Sequence, residues 1–590
     1  MNDRQLAQAC SSARTECRGD GHLGRAVPRP HPAPSLLAGK PDAGRLAEGA
    51  AAGTLRAILE TCMRYRTATG LGLAAALFIA APAIAQSADG TLNIGIGGAV
   101  TSVDPHFYNA SPNNSLAMHI FDRLVERDAR AQPYPGLAES WRVIGETVWE
   151  FKLRPSVKWH DGRDFTAEDV AFTIQRTPNV PGSPGGFGGF VRAIERVEVV
   201  DPLTVRFHTA RPHPLLPTEL ASVAVIARHA AEGASTEDFN SGKAAIGTGP
   251  YRMVAYRSGD RTELARNEAY FRGPEPWARV NYRFIGNDGA RTAALLAGDV
   301  DMIDQVPSTD LTRMRRDPKV TVSEIQGLRL IYLLTDHSRH RDVPFTSDND
   351  GKPLPNNPFN DVRVRHALSL SINRQALAER VMEGTAQPTG QWLPEGTFGY
   401  NPEVRPPAFD PDGAKRLLAE AGFPQGFRMT LHSPNDRYPN DAKTAQAVAQ
   451  MFTRIGIRTE VEGVPWASFS QRSNRQEYAI RLSGWGSVTG EASYALVNIL
   501  GTYDRERRTG ASNSGRYSNP ELDALTARAA ATIDDRQREQ LLREAVKMAM
   551  DDVAIIPLFQ LVNSWALRKG LTYDARMDER TTAMAVRAAR

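Results

Sequence analysis

The chain has 590 residues, with 71 Lys and Arg against 67 Asp and Glu and only three cysteines. Residues 1 to 85 carry 10 of the basic and 6 of the acidic side chains, which leaves 61 of each sign in the other 505, so the basic balance does not point to nucleic acid. Cys10, Cys17 and Cys62 all precede residue 86, and a chain starting there has no thiol for a disulfide, a nucleophile, a thiolate metal site or a lipid anchor.

Residues 1 to 62 are rich in Ala, Arg, Pro and Gly without a sustained apolar period, so no packed core is expected there. Met63 to Arg66 then form a basic segment, Ala68 to Ala81 an apolar one, and Ala83-Ile84-Ala85 a small-residue cleavage site before Gln86. This pattern predicts a signal peptide over 63 to 85, with translation starting at Met63 and 1 to 62 as a non-native or disordered extension. A membrane anchor is the rival reading, since no charge falls between Arg66 and Asp89.

Beyond it, 91 to 96 reads as a strand. Trp149, Phe151 and Leu153 alternate with Glu150, Lys152 and Arg154, predicting a strand with one buried and one wet face, and Val157 and Trp159 resume the alternation. Asp161-Gly162 supplies a turn. Thr166, three residues before Asp169, predicts a capped helix burying Ala167, Val170, Ala171 and Ile174. Further strands are expected at 204 to 207, 280 to 284 and 328 to 334. Helices are expected at 291 to 296, 362 to 372, 411 to 421, 441 to 455 and 536 to 550, giving α/β layers in two or three domains. The Pro- and Gly-rich stretches 178 to 190 and 337 to 358 are predicted to be exposed, mobile loops.

No catalytic motif is found: there is no G-x-S-x-G and no H-E-x-x-H. Gly95 to Val100 puts Val100 where a dinucleotide loop needs its third glycine, and Asp348 to Gly351 lacks the first and last carboxylates of a calcium loop. His160, His208, His213 and His432 are scattered, so no metal site and no cofactor are expected.

The run WEFKLRPSVKWHDGRDFTAEDVAFT at 149 to 173 closely resembles the signature of the extracytoplasmic solute-binding proteins, family 5, of peptide- and nickel-type ABC importers. Asp104-Pro105-His106, IGTGPY at 246 to 251, DVRVRHALSLSINRQAL at 361 to 377, AKRLLAEAGFP at 414 to 424, YSNPELDALTARA at 517 to 529 and AIIPLFQ at 554 to 560 extend the resemblance in order. It implies an α/β, two-lobed periplasmic-binding-protein fold of type II with an extra inserted domain. Lobe I would comprise 86 to 112, 243 to 325 and 545 to 590, the insert 113 to 242, and lobe II 326 to 544. The function implied is capture of a peptide or peptide-like solute between the lobes by a periplasmic monomer, for delivery to an ABC permease driven by a separate ATPase.

The resemblance also marks a site. Trp466 and Trp485 have the spacing of two pocket tryptophans, and Gly484 and Gly486 beside the second would let a ligand reach the backbone; for both rings the alternative is core. Val488 stands where the family pattern has an aspartate for a peptide's α-amino group, with Glu491 as the nearest acid. Asn109 and Ser111 align with a cleft-lining strand, and Phe187 and Phe190 lie near a pocket aromatic or else plug their own loop. A sensor or chaperone uncoupled from transport would share these motifs, and a secreted hydrolase remains the third reading.

Overall fold

The computed structural model describes residues 90 to 507 and 509 to 589. The expected signal peptide, the extension before it and all three cysteines lie outside the described residues.

Strand β1 (Thr91–Ile96) leads to the helix Ser111–Ile120, the hairpin of β2 (Val125–Arg127) and β3 (Pro133–Pro135), then β4 (Ala138–Gly145) and β5 (Val148–Leu153). After the helix Ala167–Arg176, β6 (Ile194–Asp201) and β7 (Thr204–Thr209) complete a four-stranded antiparallel sheet in the order β4-β5-β7-β6. Its core gathers Phe151, Trp159, Val170 and Phe207. Trp149, Phe151 and Leu153 are buried as the alternation predicts, but Glu150, expected to be wet, is buried too. The reason is its inner position. Arg142 and Arg206 stand opposite it on the flanking strands and bond its carboxylate at 2.8 to 3.3 Å, holding that carboxyl below its ordinary pKa.

The predicted cap is present in part: the Asp169 carboxylate accepts the Thr166 N–H at 3.0 Å and its hydroxyl at 3.4 Å. Ala167, Val170 and Ile174 are buried, whereas Ala171 is half-buried and Thr173 takes its place on the inner face. The stretch 178 to 190, expected to be an exposed loop, runs into the short helix Gly188–Val191 and turns two phenylalanines inward.

The remaining strands are β8 (Tyr251–Arg257), β9 (Arg261–Arg266), β10 (Arg279–Phe284), β11 (Met302–Asp304), β12 (Val320–Thr335), β13 (Thr346–Ser347), β14 (Ala386–Pro388), β15 (Arg428–Pro434), β16 (Arg458–Val464), β17 (Ile480–Gly486) and β18 (Ile556–Arg568). With β1 they form a twelve-stranded mixed sheet along the path β13-β15-β17-β12-β18-β11-β1-β10-β9-β8, with β14 on β18 and β16 on β15. The long antiparallel pair β12 and β18 carries the sheet from one hydrophobic core to the next. One core packs Leu92, Ile94, Val280 and Trp565; the other packs Leu333, Leu431, Leu482 and Phe559.

Gly247 and Gly249 of the IGTGPY run do structural work. A Cβ on Gly247 would lie 1.7 Å from the Ile120 carbonyl oxygen, and the Gly249 N–H donates to that oxygen at 2.9 Å. These glycines are required by close approach of two backbones rather than by an unusual φ.

Candidate functional site

β17 places the candidate wall. It pairs antiparallel with β12, setting Arg329 opposite Gly486, Leu330 opposite Trp485 and Ile331 opposite Gly484. Because side chains alternate across a strand, Gly484 and Gly486 share one face and Trp485 points to the other. On the glycine face the Tyr438 ring occupies the space of a Gly484 side chain, since a Cβ there would lie 2.6 Å from it. The Tyr438 hydroxyl donates to the Gly484 carbonyl at 3.3 Å, and the Arg329 guanidinium covers Gly486. The backbone approach that the glycines permit is thus used by the protein's own Tyr438 and Arg329.

Trp466 begins the helix Trp466–Asn474 and is 37% exposed. Its ring stacks on Phe469 at 5.9 Å and meets Tyr438 edge-on at 6.2 Å. The Arg437 guanidinium lies 5.3 Å from the Trp466 ring and 5.4 Å from the Tyr438 ring. Among the described residues Arg437 forms no ion pair, whereas Arg329 is held by Glu579 at 2.9 Å. Burial raises the Tyr438 phenol pKa, and Arg437 and Arg329 pull it back down. On the other face Trp485 is half-buried beside Tyr494, ring centres 5.2 Å apart, with its Nε1 buried and without a partner among the described residues.

Val488 packs against the core of the four-stranded sheet, and its carbonyl accepts from the Arg127 guanidinium. Glu491 is only 4% exposed. Its carboxylate accepts from Arg538 and from the Ser493 hydroxyl, both at 2.6 Å, while Arg538 stacks over Phe398 at 4.2 Å. The acid is already committed to a buried ion pair.

Asn109 donates its N–H to the Gly185 carbonyl at 2.8 Å and accepts from Asn114 Nδ2 at 2.8 Å; Ser111 opens the helix Ser111–Ile120 and is half-buried. Phe187 and Phe190 sit in the core of the four-stranded sheet, 1% and 9% exposed. Asp104 and His106 form a buried knot with Arg176, at 2.6 Å to the carboxylate and 3.1 Å to His106 Nδ1. Burial pushes His106 down to about 4, so it stays neutral near pH 7.

The sequence offered no sign of Arg437, Tyr438, Arg329 or Tyr494, because no local pattern links them. Only the pairing of β17 with β12 and the packing of residues 437 to 438 against it bring them together. Among the described residues no cluster of three or more His, Cys, Asp or Glu is arranged to hold a metal, and no helix is long and apolar enough to cross a membrane.

A mixed sheet with a separate small sheet module, and an aromatic wall on β17, fit a two-lobed α/β binding protein. The chain belongs to the bacterial extracellular solute-binding proteins, family 5, whose model matches residues 132–506. It is 29% identical to heme-binding protein A of Haemophilus influenzae over 477 residues, covering 75% of this chain and 82% of that one. Glutathione-binding protein GsiB of Pectobacterium atrosepticum is 27% identical (77% and 85% covered), and the dipeptide-binding protein of Escherichia coli 25% (76% and 84%). Among solved structures, HbpA2 from Haemophilus parasuis superposes with a TM-score of 0.74 at 26% identity, covering 85% of this chain and all of that one. The unliganded open form of the periplasmic murein tripeptide binding protein MppA shares the fold, with a TM-score of 0.71 at 22% identity over 85% and 98%.

Proposed function

We propose that this protein captures a peptide-like solute carrying a carboxylate on the wall formed by Arg437, Tyr438, Trp466 and Gly484 to Val488. It then presents the closed form to an ABC permease, acting in the periplasm as a monomer and leaving the solute chemically unchanged. The observation that carries this reading is the Arg437 guanidinium lying over two rings, with no ion pair among the described residues. Such an arrangement offers flat apolar area and a charge-assisted, fork-shaped donor for a carboxylate. Trp466 stays accessible, while Trp485 and Tyr494 pack toward the core on the opposite face of β17. Asn109 and Ser111 supply polar backbone across the cleft. Phe187 and Phe190 shape the module behind it. Glu491, tied to Arg538, stabilises the wall and is not offered as an amine anchor.

The test is a thermal-shift and calorimetric panel of di- and tripeptides with free and acetylated amino termini, glutathione and haem. A cognate solute at a hundredfold over its Kd should add about 2.7 kcal/mol of stability, and mass spectrometry should recover it intact. Acetylation should not weaken affinity, and Arg437→Gln should weaken carboxylate-bearing ligands about tenfold or more. Binding of haem alone, or recovery of a cleaved solute, would overturn the reading.

A further inference from the structure

Arg127 is the residue whose environment is hardest to account for as packing alone. It ends β2, is 3% exposed, and directs its guanidinium at neutral oxygens only: the Val488 carbonyl, the Thr218 carbonyl and the Ser222 hydroxyl. Among the described residues its Nε has no partner and it forms no ion pair. Burying a charge without an ion pair is costly. Nearby carboxylates are already taken. Asp578 serves Arg576 at 2.7 Å and Arg580 at 3.9 Å, Glu126 serves Arg123 at 3.8 Å, and Asp122 accepts the Thr248 and Tyr270 hydroxyls at 2.7 and 3.0 Å.

The position is also rigid. The Arg127 carbonyl accepts from Arg576 at 3.1 Å, and the Ala129 carbonyl accepts the Met577 N–H at 2.8 Å. The turn after Arg127 abuts the wall at Gly490, where an added Cβ would lie 2.9 Å from that of Ala131. Farther along, Arg538 holds Glu491 at 2.6 Å. The wall is therefore pinned by one buried arginine at Val488 and another at Glu491, and only the second is neutralised by an acid.

We propose that Arg127 is a specificity-determining residue: it fixes the Val488 carbonyl and brings an unneutralised positive charge to the back of the wall. A solute ammonium beside Val488 is disfavoured, and a neutral or anionic group is accepted there. This rests on the reading of residues 484 to 488 as the solute face. A fork of donors is needed because two carbonyls from separate segments must be held at once, which Lys does less well.

The experiment measures affinity for one peptide in two forms, free amine and N-acetylated, against the parent, Arg127→Lys and Arg127→Gln, each checked for cooperative melting. The parent should bind the acetylated form at least as well as the free amine. Arg127→Gln should move the acetylated-to-free ratio about tenfold toward the free amine, the size expected for removing one charge from a partly desolvated site. Arg127→Lys should keep the ratio while weakening both forms. A purely structural role would weaken both forms equally in Arg127→Gln, and that result overturns the proposal. If the parent binds neither form, the reading of the solute face falls first and this proposal with it; if the parent binds and the ratio stays fixed, only this proposal fails.

Discussion

Glu491 illustrates how a residue's job depends on what faces it. In the sequence it is an acid three positions after Val488, able to replace a missing amine anchor; in the fold its carboxylate meets Arg538 at 2.6 Å in a site closed to water. Glu491→Gln would leave the buried Arg538 guanidinium with only the exposed Asp535 carboxylate, at 3.0 Å, as its counter-charge, a change that costs about 3 kcal/mol, the low end for breaking a buried pair. Its melting temperature should drop by several degrees, with the acetylated-to-free affinity ratio unchanged. A stable variant that has lost only free-amine binding would restore Glu491 as an anchor. Trp485 and Trp466 were legible as candidates because their spacing resembles that of the family's pocket tryptophans, and glycines flank Trp485. Arg437 and Arg127 were not, since an arginine looks alike in sequence whether it is solvated, stacked or buried.

Among elements, β17 is the one on which the proposed binding face rests. Its glycines were expected to admit a ligand, and the one at 484 admits Tyr438 instead. Gly484→Ala should push the Tyr438 ring, and with it Arg437 and Trp466, away from the strand. Overpacking of this kind costs about 1 to 3 kcal/mol, and solute affinity should fall because the stacked arginine moves. Calorimetry on Gly484→Ala alongside Tyr438→Phe checks this. Tyr438→Phe loses only the 3.3 Å bond to the Gly484 carbonyl and should bind nearly as the parent does. Equal affinity for Gly484→Ala and the parent would mean that the glycine face takes no part in binding. Element type was readable wherever period and caps agreed, as at β5 and the helix after Thr166. The burial of Glu150 was not, because a two-residue period cannot tell an inner strand from an edge one; the cross-strand arginines decide that.

At the scale of the whole molecule, buried ionisable groups set a pH dependence. Burial pushes His106, His119, His160 and His432 down to about 4 and His337 to about 3, while it pushes Asp122 and Asp304 up to about 6. Between pH 6.5 and about 4 the unfolded chain takes up protons on five imidazoles that the folded protein leaves neutral, so stability falls as pH falls. The two carboxyls act oppositely, being protonated in the fold before they are in the unfolded chain. With five groups against two, the balance is loss on acidification, at about 1.4 kcal/mol per pH unit for each net proton. Melting temperatures measured from pH 7 to pH 4.5 should therefore decline, and a flat or rising profile would contradict the burial of these histidines. The sequence alone determined the family, the α/β class and which aromatic residues to watch, because those rest on local order: strings of motif, period and cap. The tertiary structure alone decided which charges are spent and which are free. Arg538 lies 47 positions from the acid it neutralises and Arg127 lies 361 from the carbonyl it holds, and such distances close only when separate strands and cores pack together.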